Sequence, residues 1–142
     1  MPSGLFNEYK HKLLGHIFGN RTFSVPSTIY IGLSKTACLA DGTGITEVTG
    51  GSYARVAIAN NSINWTTPVN KQVKNVNTIT FNTATADWNT YVASGGVLYV
   101  FYAETSTGTT GNLMGFCDIP YKFIQSGTTL IIKPNGLTLS QV

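Results

Sequence analysis

The chain changes its apolar period once, at Pro26. Before that point Phe6, Tyr9, Leu13 and Ile17 recur at intervals of three and four, which stacks them on one face of a helix. The spacing predicts a helix over 4–19, with Ser3 as N-cap and Gly19-Asn20 as the stop. Leu5, Leu14 and Phe18 widen the apolar arc to roughly 220°, where packing on one sheet needs only about 100° or somewhat more. Lys10 falls inside that arc, able to lay its methylenes along apolar surface. Glu8, His11, Lys12 and Gly15 fall opposite. A helix of this kind is either sunk in a groove between a sheet and a loop, or it touches its own sheet and a second subunit. On the second reading Leu13, Leu14, Ile17 and Phe18 are the candidate subunit interface.

Beyond Pro26 the period is two. Ile29, Ile31 and Leu33 share one face of a first strand, with Tyr30 on the other. Tyr53, Arg55 and Ala57 alternate with Ala54, Val56 and Ile58, and Asn60-Asn61-Ser62 end that strand in a turn. Ile79 and Phe81 point inward between Thr78 and Thr80. The continuous run Val97 to Tyr102 fits a central strand covered on both faces. Thr105 to Gly111 reads as a hairpin loop leading into a strand over 113–119 that Pro120 ends. Pro134-Asn135-Gly136 is a turn between two further strands, with glycine expected to supply the positive dihedral. About seven to nine short strands without intervening helices predict an antiparallel β-sandwich or jelly roll over 26–142, one domain with its N-terminal helix.

Length and composition narrow the classes of function. At 142 residues one core suffices. Charged residues are 11% of the chain, against roughly 25% in an average globular domain, so Thr, Asn, Ser and Gly must supply the polar surface; Thr alone contributes 20 residues. Low charge weakens repulsion between copies, which favours a self-associating subunit. The net charge of +3 is spread from Lys10 to Lys133, without the basic stripe that nucleic-acid binding requires. His11, Lys12 and His16 interrupt the apolar residues near the N-terminus, so no signal peptide is expected. No segment reaches the ~20 apolar residues of a membrane span. Cys38 and Cys117 stand in no metal-like spacing, and both thiols are expected to be reduced.

Catalytic chemistry finds no motif. His11 and His16, five apart, point about 140° from each other on a helix and cannot share one metal without unwinding it. Six carboxylates, Glu8, Asp41, Glu47, Asp87, Glu104 and Asp118, could include a glycosidase pair about 5–9.5 Å apart, but so short a sandwich leaves little room for a cleft. Asp41 to Glu47 is glycine-rich and lacks the alternating oxygen ligands of a calcium loop. No phosphate-binding loop occurs. The expectation is a protein without enzymatic activity, cofactor or metal. Arg55, mid-strand among apolar neighbours, needs a carboxylate or carbonyls to hold its charge; Glu47 and Asp87 are the nearest acids, and its role is read as structural. Trp65, Trp88 and Tyr91, set among Asn and Thr, either plug the ends of the core or stack on sugars as glycan contacts.

The order Gly50-Gly51-Ser52-Tyr53-Ala54-Arg55-Val56-Ala57, then an Asn-rich turn and Trp65, resembles a family of small bacteriophage virion proteins labelled tail-fibre-like. The resemblance continues at Ile79 to Trp88, through Ala84-Thr85-Ala86-Asp87-Trp88, and at Gly111-Asn112-Leu113-Met114-Gly115. It covers most of the chain, from the N-terminal helix to the last turn. It departs from the family pattern at Tyr91 to Gly95, an additional segment, and at Asn82, where the family commonly has proline. The resemblance implies a non-enzymatic virion component, made in the host cytoplasm, homo-oligomeric and contacting other phage proteins. Tail or fibre, head decoration, and a host-surface glycan-binding module are the positions left open. It carries over no functional residues, because the shared positions are turns and strands.

Overall fold

The computed structural model describes residues 3–89, 98–121 and 123–140. Within them the protein is mainly β and antiparallel, with one short helix. A five-stranded sheet contains β1 (Ser3–Leu5), β7 (Leu113–Tyr121), β6 (Leu98–Ala103), β2 (Thr28–Ser34) and β3 (Val56–Ala59), in that spatial order. Two two-stranded ladders complete a sandwich-like arrangement: β4 (Gln72–Lys74) with β9 (Thr138–Ser140), and β5 (Ile79–Thr80) with β8 (Ile131–Ile132).

Strand alternation sorts the apolar residues of the large sheet into two cores. Ile29, Ile31 and Leu33 of β2, with Val100 and Tyr102 of β6, face the ladders and pack with Ile79, Phe81, Trp88, Ile132 and Leu137. Phe101 and Ala103 face the other way, against Phe6, Cys38, Leu113 and Phe116. Strand β6 is thus covered on both faces, as its uninterrupted apolar run predicts. Cys117 lies in the first core and Cys38 in the second.

The helix is shorter than its sequence pattern suggests. Helix α1 runs Asn7–Ile17, and Ser3–Leu5 is a strand instead, pairing with β7 through Ser3 opposite Cys117 and Leu5 opposite Gly115. Ser3 caps no helix; its hydroxyl donates to Ser140 Oγ at 2.8 Å. Phe6 is the N-cap and makes no side-chain cap bond; β1 and the buried Phe6 ring fix the start instead. The C-terminal stop holds: Gly19 has φ +75°, Gly19 N donates to His16 O and Asn20 N to Gly15 O, the paired bonds of a left-handed helix end.

Two turns differ from their expected form. Strand β7 continues past Pro120 to Tyr121. Its register against β6 slips between Leu98–Tyr121 and Val100–Cys117, so Pro120 sits in a bulge, where a missing N–H breaks no regular ladder bond. At 133–136 the positive φ belongs to Asn135, +64°, and Gly136 N closes the turn on Lys133 O at 2.9 Å. Pro134 then takes the second position and Asn135 the third, a type II turn. The flanking strands do not pair with each other: β8 joins β5 and β9 joins β4.

Gly32 lies opposite Phe101 in the β2–β6 register, and a Cβ there would stand 2.4 Å from the Phe101 ring. The absent side chain lets that ring lie flat on the sheet. Gly32→Ala is expected to destabilise the fold by about 1–3 kcal/mol through overpacking, read as a lowered urea midpoint with an unchanged slope.

Candidate functional site

Three regions gather the residues singled out by sequence. The first is a buried cation. Arg55 is 8% exposed at the entry to β3. Its Nε donates to Glu47 Oε2 at 2.7 Å and its Nη2 to Glu47 Oε1 at 2.9 Å, a bidentate pair. The remaining bonds go to carbonyls of the β6–β7 hairpin loop, Nη1 to Thr105 O at 2.8 Å and Nη2 to Gly108 O at 2.7 Å. The guanidinium carbon lies 5.0 Å from the Phe101 ring centroid, within cation–π range. Gly32, Phe101 and Arg55 are therefore stacked. Asp87, the other acid considered, accepts from Ser126 N.

Tyr53 belongs to the same network. Its hydroxyl donates to Glu47 Oε2 at 2.8 Å and accepts from Leu33 N at 2.9 Å, closing a gap in the edge of β2. Burial, with the Glu47 carboxylate beside it, pushes the Tyr53 phenol well above its ordinary value of 10.0. Burial, with the charge of Glu104, likewise pushes the Tyr9 phenol up to about 12.

The second region is the helix end. The buried stripe of α1 is rotated from the one the apolar spacing suggests. Glu8 and Lys12, four apart and so on one face, turn inward: Glu8 accepts from Leu113 N at 2.7 Å, and Lys12 Nζ donates to Gly111 O at 2.8 Å and pairs with Glu104 at 3.3 Å. Tyr9 is buried and Leu13 packs partly against the main core. Leu14, Ile17 and Phe18 are left 53%, 69% and 74% exposed. Of the four candidate interface residues, the fold half-buries one and presents three.

The third region is aromatic. Both tryptophans are interior, Trp65 8% and Trp88 3% exposed. Trp88 Nε1 donates to Gly51 O at 2.8 Å, and its ring stands edge-on to Tyr53 and Phe81. Trp65 stands edge-on to Tyr102, and its buried indole N–H has no hydrogen-bond partner among the described residues. It lines a pocket of about 420 Å³ with Asn60, Asn61, Ser62, Tyr102 and Leu139. Tyr91 and the segment to Gly95 lie outside the described residues. Among the described residues no three His, Cys, Asp or Glu side chains gather as metal ligands, and no helix is long and apolar enough to cross a membrane.

Two side chains that sequence reading passed over hold loops in place, one in each layer. Asn75 is buried; its Nδ2 donates to Asn77 O and Lys133 O while its Oδ1 accepts from Leu137 N. Asn112 Nδ2 donates to Thr107 O and Gly108 O, bracing the loop that Arg55 also grips. Asn112 falls inside the Gly111 to Gly115 motif, a signal that could have been weighed; nothing in the sequence distinguishes Asn75 from its many neighbouring amides.

A family model described as Podophage GP4 fiber I protein gp80 matches residues 4–140. The chain belongs to that family of phage fibre proteins. No curated protein matches it.

Replacing Arg55 by Leu is expected to cost about 3–5 kcal/mol of stability in chemical denaturation, the scale for breaking a buried ion pair. Stability should also fall in alkali. Below pH 10 the two raised phenols are protonated in both folded and unfolded chains; above it the unfolded phenols ionise first, so their contribution is lost as pH climbs, for Tyr9 through about 12. A thermal midpoint that declines from pH 9 to 11, less steeply in Tyr53→Phe, is the expected reading.

Proposed function

We propose that this chain is a non-enzymatic structural subunit of a bacteriophage particle, tail- or fibre-associated, assembling through contacts with further copies and with virion neighbours. The observation that carries the reading, beyond family membership, is the bare apolar end of α1. Leu14, Ile17 and Phe18 form one exposed group on a helix that hydrogen bonds and a salt bridge tie firmly to the β6–β7 hairpin. Burying each against a partner would contribute on the order of 1.5–3 kcal/mol, while the low charge of the chain does little to keep a partner away. A tail or fibre position is favoured over head decoration by the family's description as a fibre protein.

Glycan binding is a second reading, favoured by the pocket beside Trp65. Asn60, Asn61, Ser62, Thr66 and Thr67 stand with Trp65 around a mainly apolar recess, the pairing of flat ring and hydrogen-bonding groups that sugars use. Selective signal on a glycan array, lost on Ser62→Ala with unchanged circular dichroism, supports it, and a blank array removes it.

The double change Leu14→Asp with Phe18→Asp should leave the far-ultraviolet circular dichroism of the protein intact and abolish its incorporation into phage particles, measured by mass spectrometry of purified virions. Normal incorporation of that variant would remove the helix end from the assembly contact. Absence of the wild-type protein from virions would remove the structural reading itself.

A further inference from the structure

Two rows of backbone groups on one side of the molecule have no partner among the described residues. In an antiparallel ladder, residues alternate between pairs that exchange both hydrogen bonds and pairs whose groups face away. Asn60 N donates to Ser27 O at 2.9 Å, and the β2–β3 register places Thr28 opposite Ala59. The bonded pairs are therefore Ile29–Ile58 and Ile31–Val56, and Ala57 turns both its N–H and its C=O away from β2. The Ala59 carbonyl also faces out but is taken, by Asn61 N and Asn64 Nδ2. The same phase holds in β5: Phe81 N donates to Leu130 O, and Ile79 lies opposite Ile132. Thr78 and Thr80 thus turn their backbone groups away from β8.

Among the described residues strands β3 and β5 are each the last of their ladder, and they flank one groove of about 230 Å³ lined by residues 56–59 and 78–80 together with Asn64, Asn75 and Asn77. No ionisable side chain lines it. Exposed sheet edges are ordinarily guarded by lysine, proline or a bulge. From Val56 to Asn61 there is no charge and no proline, and the β2–β3 register runs unbroken.

We infer that this side of the sandwich is a twofold contact with a second copy of the chain. Strand β3 lies antiparallel to β3 of the copy, with Ala57 opposite its own counterpart, and the β5 edges meet in the other layer. The inference rests on the reading of the chain as an assembly subunit and names the surface that copy occupies. An edge whose central residue offers one donor and one acceptor is self-complementary about a twofold axis. In that register Val56 of each copy faces Ile58 of the other, and both already lie on the core side of the sheet. The outer side carries only Ala57 and Ala59, too small to hold the copies apart. Along the β3 edge no like charges meet, because Arg55 at its start is paired with Glu47. A lone extended segment would satisfy one row of backbone groups, whereas a second sandwich presents both rows together.

Ala57→Pro tests the contact, since it removes one outward N–H and none of the bonds between β2 and β3. In sedimentation equilibrium across a wide concentration range, wild type is expected as dimers or multiples of dimers. Ala57→Pro should raise the dimer Kd roughly tenfold or more with unchanged circular dichroism, and the Leu14→Asp, Phe18→Asp variant should keep the dimer. A monomer at every concentration, or a dimer that Ala57→Pro leaves intact, overturns the inference. Should Ala57→Pro fail to fold, amide exchange of the wild type decides: the Ala57, Thr78 and Thr80 amides must slow as concentration rises, and equal rates overturn it. Incorporation into virions is a separate readout, so a monomeric protein found in particles sinks this contact and spares the structural role.

Discussion

The fold turns on one buried cation. A guanidinium removed from water must find partners for its N–H groups and a counter-charge, or the site costs several kcal/mol. Arg55 finds them in Glu47 and in the carbonyls of Thr105 and Gly108, segments far apart in sequence. The arrangement is possible only because Gly32 lets the Phe101 ring lie against the sheet and offer its face to the charge. Tyr53 then uses the same carboxylate to satisfy Leu33 N. Sheet edge, hairpin loop and second core are thereby locked by one charge, which explains why a chain so poor in charged residues places one of them here.

Legibility in the sequence followed how locally each element is determined. Ile29, Ile31 and Leu33, the apolar run of β6, and the Gly19-Asn20 stop are set by their own neighbours, and each lies where the pattern puts it. Strand β1 is not local: Ser3–Leu5 is extended because β7 offers an edge more than a hundred residues away, and no spacing near the N-terminus reports that. The hairpin at Val69 to Gln72 was equally silent. Asn70 and Lys71 both adopt positive φ, yet lysine is not a residue that announces such a turn. At 133–136 the composition was readable and the division of labour was not, since asparagine took the left-handed position that glycine could have held.

The candidate sites divide in the same way. Apolar periodicity counts hydrophobic residues and cannot see that Glu8 and Lys12 will dock the helix through hydrogen bonds; it therefore could not divide Leu13, which packs partly against the core, from Leu14, Ile17 and Phe18, which are exposed. The tryptophans stand among polar residues in sequence but in the core in space, and Asn89 beside Trp88 is buried with it, accepting from Ile124 N. The Glu47–Arg55 pair was accessible from burial cost alone, whereas the choice between Glu47 and Asp87 needed the fold.

The β1–β7 ladder has a consequence in time. On a nascent chain the helix emerges well before its polar anchors, Glu104, Gly111 and Leu113, which are made last but for the final strands. The strand before it has no edge to join until Cys117 has left the ribosome. The N-terminal segment therefore travels beside a growing sheet with Leu14, Ile17 and Phe18 bare until that long loop closes. A surface suited to joining particles is thus also the one most exposed to a premature encounter, so the chain has to fold before it meets its neighbours.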